Sequence, residues 1–282
     1  MYKNNLYLYI MTKKFDRYLL TYTGNKYRET KKYLEDLDIK KYDIIVEPFG
    51  GIFGYSRALY EMNPNYSGEF WINDTNTDLI GVHQQLKDGK FNEIKEMVLK
   101  LIEPFEKDEN DLNFNKVKKK NSLLQLIVCF YINTRQKMKN KIKNYEEKQD
   151  DFKELLDKCS FFNMDFNDFL KQLPTDKKCL ILFDPPYFDS CNTDYTRGME
   201  KYEDDGEIKD NTQMYLDILD YFAAQARNLQ NRKTGNDCLM IINNLSIMRY
   251  IFKDFQQEVY KVKYQRVKKN TSHLMIYNFK RS

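Results

Sequence analysis

The sequence contains little of several things at once: one tryptophan, two histidines, ten glycines and six prolines among 282 residues. So little glycine and proline excludes collagen-like, linker-like and wholly disordered chains. Cysteine is scarce as well. Cys129, Cys159, Cys179, Cys191 and Cys238 are odd in number, widely spaced and without a CxxC pair. Such a set does not make a disulfide framework, and with only His83 and His273, far apart, it does not make a zinc site. Free thiols in a reducing compartment are the simplest reading, and most lie in or beside apolar runs where packing is their expected role. No apolar run approaches the ~18 residues needed to span a bilayer. The N-terminal MYKNNLYLYIMTKKFDRYLL is interrupted by Lys13, Lys14 and Asp16 and lacks the apolar stretch and small-residue cleavage site of a signal peptide. A soluble, cytoplasmic protein is expected. A dominant charge is missing too: 46 basic residues against 42 acidic ones leave a net charge of +4. That balance neither demands nor forbids a polyanionic partner; clustering decides.

What is plentiful is aromatic. Nineteen Phe and 22 Tyr in a chain that is 41% hydrophobic can bury a large core. Four short apolar runs ending in polar or turn residues read as buried strands: DIIVEPF (43–49), EFWIN (69–73), CLILFDPPY (179–187) and CLMIINN (238–244). Helical patterns follow or separate them at 56–62, 78–86, 211–229 and 246–255. Strands alternating with helices predict an α/β fold with a mostly parallel sheet. VYKVKYQR (259–266) and HLMIYNF (273–279) alternate apolar and polar residues, which predicts a final antiparallel hairpin with a basic turn. Residues 87–157 break the alternation with helical patterns alone. From Lys116 to Lys143 there are nine Lys or Arg and no Asp or Glu, so the rest of the chain is net acidic. This basic element is either a solvated helical face or an arm that contacts phosphates. The expected division is 1–86 with 158–282 as one catalytic domain and 87–157 as a helical, basic insertion.

The sharpest chemical signal is Asp184-Pro185-Pro186-Tyr187, directly after the apolar run CLILF. An exocyclic amine on a nucleobase is a poor nucleophile because its lone pair delocalises into the ring. A carboxylate and a backbone carbonyl that both accept from the amine draw the nitrogen toward tetrahedral geometry and release the lone pair. Two prolines fix the backbone and offer no competing N–H. An aromatic ring can stack on an extruded base. The bland alternative is a Pro-Pro turn after a strand. Two weaker signals accompany the tetrad. Glu47-Pro48-Phe49-Gly50-Gly51-Ile52-Phe53-Gly54 is a glycine-rich strand-to-helix turn, suited either to close approach of a cofactor or simply to a tight turn. Asn73-Asp74-x-Asn76 ends the second strand with an acid that can hold ribose hydroxyls or cap the next helix. His83 reads as a surface residue in a helix, Trp71 as core, and the acidic 200–207 as a solvated loop.

With these motifs in this order, the sequence resembles the Dam-like N6-adenine DNA methyltransferases. The family's N-terminal element is similar to Thr21-Tyr22-Thr23-Gly24-Asn25-Lys26, its glycine motif to Glu47–Gly54, and its second strand end to Ile72-Asn73-Asp74-x-Asn76-x-x-Leu79. Asp165-Phe166 resembles the pair beside the cofactor's adenine, Asp184–Tyr187 the catalytic tetrad, and Tyr195-Thr196-Arg197-Gly198 the loop beyond it. IINNLS (241–246) and the final hairpin fit as well. The likeness covers 18–86 and 160–282. It implies a Rossmann-like methyltransferase sheet, S-adenosyl-L-methionine as cofactor with S-adenosyl-L-homocysteine as product, and methyl transfer to adenine N6 in duplex DNA through a flipped-out base, with no metal, no membrane and no covalent intermediate.

In that reading Asp184, Pro185, Pro186 and Tyr187 are catalytic. Tyr22, Gly24, Lys26, Phe49, Gly51, Asp74, Asp165 and Phe166 bind the cofactor. Lys118, Lys119, Lys120, Arg135, Lys137, Lys139 and Tyr195 bind nucleic acid. Two departures stand out. Phe53 occupies the last glycine position of the family's motif, where its ring would crowd the cofactor's methionine part unless the turn shifts onto Gly54. In the insertion only CFYINTR (129–135) resembles the family, and QKMKNKIKN replaces the base-reading Phe-Asn-Gly hairpin, so no target sequence carries over. An RNA or single-stranded DNA substrate is the first alternative, and a catalytically weak nucleic-acid-binding partner subunit the second. Methylation of a protein glutamine would call for Asn at position 184.

Overall fold

The computed structural model describes residues 15–21, 25–103, 123, 127, 135–188, 211–230, 235–263 and 270–280. Its centre is a seven-stranded sheet in the order β3-β2-β1-β4-β5-β7-β6. The strands are β1 (Ile44–Glu47), β2 (Glu69–Asn73), β3 (Cys159–Phe162), β4 (Cys179–Phe183), β5 (Asp237–Asn243), β6 (Gln256–Lys263) and β7 (Asn270–Tyr277). The first five are parallel to one another, while β7 runs antiparallel to both β5 and β6.

The central parallel strands β1, β4 and β5 are apolar and buried because both faces of the sheet are covered there, whereas β2 and the edge strand β3 are partly buried. Period-2 alternation then divides their side chains between two cores. Ile45, Leu180, Leu182, Leu239, Ile241 and Met275 face one apolar cluster. Ile44, Val46, Ile181, Phe183, Met240, Ile242 and Ile276 face the other. On the first face lie α1 (Tyr27–Tyr33), α2 (Gly54–Met62) and α3 (Thr77–Lys87). The same cluster takes in the apolar stripes of α4 (Phe91–Ile102), α5 (Arg135–Glu146) and α6 (Gln149–Asp157), through Ile94, Val98, Ile102, Met138, Ile142, Tyr145 and Phe152. On the second face lie α7 (Phe166–Lys171), α8 (Thr212–Gln230) and α9 (Ser246–Ile251). Strand order proceeds outward from β1 to β3 and restarts at β4 on the other side of β1. The carboxyl ends of β1 and β4 therefore flank a topological switch point, where sheets of this kind hold ligands.

Strand and helix expectations hold for the main elements, with differences at their ends. β1 stops at Glu47 and β4 at Phe183, so both motifs begin where the strand ends. β6 starts at Gln256, three residues before the alternating run, because Gln257 Nε2 caps the carbonyls of Arg249 and Phe252 and turns the chain into the sheet. Neither α1 nor the edge strand β3 was signalled. The basic hairpin turn 264–269, the acidic 200–207 and most of 104–134 lie outside the described residues. No helix among the described residues is long and apolar enough to cross a membrane.

Phe53 corrects an expectation. It caps α2 in a left-handed conformation (φ 40°, ψ 55°). Its ring is fully buried and turned into the first core, with centroids 4.9 Å from Tyr18, 5.1 Å from His83 and 5.8 Å from Phe161. It does not stand in the turn's mouth. A bulky side chain at positive φ is strained, and aromatic packing offsets that strain. Phe53→Ala is expected to destabilise the protein by about 3–5 kcal/mol through loss of the ring. Phe53→Gly loses the same ring but relaxes the backbone, recovering about 1 kcal/mol. Urea unfolding of the two variants should therefore rank glycine above alanine; the opposite rank contradicts the strain.

Candidate active site

Asp184 is the first residue beyond β4, and its side chain is 19% exposed. Its Oδ1 lies 2.6 Å from the Lys26 ammonium, which is itself 2% exposed. Burial pushes the carboxyl up to about 6, and Lys26 opposes that shift by charge and hydrogen bond. Lys26 Nζ also stands 3.4 Å from the Tyr187 hydroxyl and 5.2 Å from the centre of its ring. Of the two proline carbonyls, that of Pro186 accepts from Tyr215 at 3.0 Å. Among the described residues no donor reaches the Pro185 carbonyl, which leaves it as an acceptor beside the carboxylate. The Tyr187 carbonyl is held by Asn211 Nδ2 at 3.2 Å, which ties the far end of the tetrad to the start of α8. A desolvated carboxylate, two proline carbonyls and a phenol ring thus share one strand end.

Lys26 reaches this position because its segment is clamped to α2. Gly54 makes the clamp feasible: a Cβ there would come within 2.9 Å of the Lys26 backbone nitrogen and closer still to Asn25 Oδ1. Asn25 Oδ1 accepts from Tyr27 N and from Arg57, both at 3.1 Å. The resemblance assigns Lys26 to the cofactor's methionine side; its ammonium sits on Asp184.

The glycine turn faces the tetrad across the switch point. Gly51 adopts φ 50°, its N–H donates to Asp74 Oδ2 at 2.9 Å, and its carbonyl lies 2.8 Å from His83 Nε2. His83 is fully buried, not at the surface as its helical setting suggested. Desolvation lowers it to about 3, so the ring is neutral, with Nε2–H donating to Gly51 and Nδ1 accepting from Tyr18 at 2.9 Å. Asp74 does not cap α3; Asn76 does, through Leu79 N at 3.0 Å. Asp74 accepts from Gly51 N and Asn76 N, and burial raises its pKa. Phe49 and Phe166 rings lie 4.9 Å apart and form an apolar wall beside it. Asp165 is exposed and caps α7, accepting from Asn167 N at 2.8 Å. Glu47 is buried and accepts from Ser56 N at 2.7 Å and Ser56 Oγ at 2.5 Å, fixing the first turn of α2.

Of the sequence-assigned residues, Lys26, Asp184, Pro185, Pro186 and Tyr187 come together at the tip of β4. Phe49, Gly51, Asp74 and Phe166 gather at the tips of β1 and β2. Tyr22, Gly24, Lys118, Lys119, Lys120 and Tyr195 lie outside the described residues, and Arg135 and Lys137 are described in backbone only. Lys139 is partly exposed on α5. Trp71 is only partly buried and donates to Glu69 at 2.9 Å. Cys159, Cys179 and Cys238 are buried free thiols. Among the described residues no group of three or more His, Cys, Asp or Glu side chains could hold a metal. Glu29 and His273, which the sequence reading passed over, stand behind Tyr187. A buried histidine in an alternating strand was the available signal.

No protein-family model and no curated protein sequence matches the chain. Among solved structures it is similar to a precorrin-6y C5,15-methyltransferase from Geobacter metallireducens GS-15, at 11% identity and TM-score 0.42, covering 93% of this chain and 94% of that one. It is similar to the methyltransferase domain of delta-N METTL16, at 9% identity and TM-score 0.38, covering 92% and 84%. It is also similar to PH0851, at 9% identity and TM-score 0.36, covering 89% of this chain and 45% of that one.

The Glu47 carboxyl titrates near 7 instead of 4.5, raised by desolvation and partly restrained by Ser56. Between those values the folded protein holds the proton more tightly than the unfolded chain does. The group's contribution to stability is therefore full below about 4.5 and lost as pH rises through about 7. Glu47→Gln keeps an acceptor for Ser56 and carries no charge. It is expected to match wild type at pH 5 and to be more stable at pH 8, by at most about 3 kcal/mol. Equal unfolding midpoints for the two proteins at both pH values would refute a strained carboxylate.

Proposed function

We propose that the chain is an S-adenosylmethionine-dependent methyltransferase acting on N6 of adenine in DNA. The observation that carries this reading is the desolvated Asp184 carboxylate followed by the Pro185 carbonyl, to which no described residue donates, and the Tyr187 ring, at the switch point opposite a glycine turn. Two acceptors and an aromatic face at one strand end suit an exocyclic amine on a flipped base.

The residues around the glycine turn fit the cofactor by their chemistry. Asp74, its oxygens oriented by Gly51 and Asn76 N–H groups, suits ribose hydroxyls. Phe49 and Phe166 suit a purine face, and the outward Asp165 suits its amine. S-adenosylmethionine, when bound, supplies an electrophilic methyl group. The chain's own work is to bring an amine to it in line and to polarise that amine. Asp184 and the Pro185 carbonyl accept the two N6–H groups. The base amine thereby takes the place of the Lys26 ammonium on Asp184, and Tyr187 stacks on the ring. The proton that N6 sheds has the Asp184 carboxylate as its nearest acceptor. Lys118, Lys119, Lys120, Arg135, Lys137 and Lys139 would neutralise phosphates and give sequence-independent affinity.

Incorporation of tritiated methyl into adenine-containing duplexes, with Asp184→Ala as control, tests the assignment; equal incorporation by both proteins ends it. An RNA or single-stranded substrate keeps the same chemistry, and the missing base-reading hairpin favours it. Duplex, single strand and RNA in the same assay separate the two.

Only the ionised carboxylate can take the N6 proton, and it is the stronger hydrogen-bond acceptor, so kcat/KM is expected to rise with pH through about 6. Lys26 holds that carboxyl down, so Lys26→Met is expected to move the acidic limb to higher pH. An unmoved limb would show that another group sets it.

A further inference from the structure

The ion pair between Lys26 and Asp184 continues into a second polar cluster for which base stacking alone gives no task. His273 on β7 is 2% exposed and lies opposite Asn243 of β5 and Tyr260 of β6. Its Nδ1 is 2.9 Å from Glu29 Oε2 on α1. Its Nε2 is 3.5 Å from the Tyr187 hydroxyl. Tyr260 donates to the same Glu29 oxygen at 3.0 Å. Helix α1 and the C-terminal hairpin, far apart in sequence, therefore converge behind one ring of the tetrad.

Donor and acceptor chemistry assigns the direction of this chain. Burial alone would raise Glu29, but the hydrogen bond from His273 and the charge of Lys26 bring it below its ordinary value, so it is a carboxylate and accepts only. His273 Nδ1 must then carry a proton. At the other end the Lys26 ammonium can only donate to the Tyr187 oxygen. In the neutral ring with Nδ1 protonated, Nε2 is a lone pair that can accept the phenolic proton of Tyr187. The contacts of 3.4 and 3.5 Å are at the long end of the hydrogen-bond range.

We propose that His273, fixed in its Nδ1–H form by Glu29, is a positioning residue that anchors the Tyr187 hydroxyl and so sets the ring against which the target base stacks. This rests on the reading of the tetrad as a base pocket. Its consequence is that orientation of the ring survives when Lys26 leaves Asp184, because His273 belongs to the sheet and does not move with the ammonium.

The chain has two histidines, so nitrogen NMR of 15N-histidine-labelled protein reads both directly. His83 is expected as the Nε2–H tautomer and serves as internal reference; His273 is expected as the opposite, Nδ1–H tautomer. Tyr187→Phe should shift His273 Nε2 and leave His83 unmoved. In methyl-transfer assays His273→Asn and Tyr187→Phe should each lower kcat/KM by about tenfold, the scale of one hydrogen bond. The double variant should fall no further than the weaker single one. Glu29→Gln, which keeps an acceptor oxygen, should recover most of the activity that Glu29→Leu loses. An Nε2–H tautomer at His273, or single effects that multiply to about a hundredfold, overturns the anchor, and the wild-type spectrum decides this even if a variant fails to fold. Transfer with the wrong tautomer refutes the anchor alone. The expected tautomer with no transfer to any nucleic acid refutes the base-pocket reading and, with it, the ring's assigned task.

Discussion

The Lys26–Asp184 ion pair is the contact on which the site depends. A carboxylate drawn out of water is a strong acceptor only while it stays ionised, and desolvation alone works against ionisation. The ammonium at 2.6 Å resolves that conflict by holding the carboxyl near 6 although it is largely buried. As a stabilising device such a pair is poor, because two apolar side chains of similar volume commonly serve a fold as well or better. Its position at a strand end over the switch point is where the proposed chemistry uses the pair: it keeps a charged acceptor ready at a largely desolvated strand end.

That arrangement relies on a platform built around Arg57. This side chain is fully buried, and desolvation lowers it to about 10. Its guanidinium donates to the Ile52 carbonyl at 2.9 Å, the Phe15 carbonyl at 2.5 Å and Asn25 at 3.1 Å. The rings of Tyr18, Tyr27 and Phe53 surround it at 5.2–5.7 Å. One planar cation thus ties the glycine turn, the N-terminal segment and the residue before Lys26 into one body, as a rigid fork of donors can and an ammonium cannot. His83 completes the same body from α3 by holding Gly51.

Much of the sheet was legible in the sequence because strands buried on both faces read as unbroken apolar runs: IIV, FWI, CLILF and CLMII each fall on a strand. β3 was not, since CSFF is four residues long and comes directly after an amphipathic helix, so no turn residue separates the two periods. α1 was obscured by its polar sequence YRETKKY, which buries Tyr27 and Thr30 without an apolar stripe. The tetrad and the glycine turn were legible because local backbone chemistry marks them. Glu29, His83 and His273 were not, because each acquires its role only from partners 32 to 244 residues away. Phe53 was misjudged for the same reason: the conformation that turns its ring inward depends on Tyr18 and Phe161, which the local motif does not contain.

The antiparallel strand explains how so remote a histidine reaches the tetrad. In a parallel sheet every strand delivers its last residues to the active edge, so β1, β2 and β4 can offer only the few residues just past their carboxyl ends. β7 runs the other way and enters the sheet at that edge, with His273 opposite Asn243 at the finish of β5. A side chain inside a hydrogen-bonded ladder is held more firmly than one on a connecting loop. The site therefore combines two kinds of support. Asp184 and Tyr187 lie just past a strand end, where backbone is free to meet a ligand. The groups beside them come from elsewhere in the fold: His273 from within the sheet, and Lys26 from a backbone segment tied to the Arg57 body.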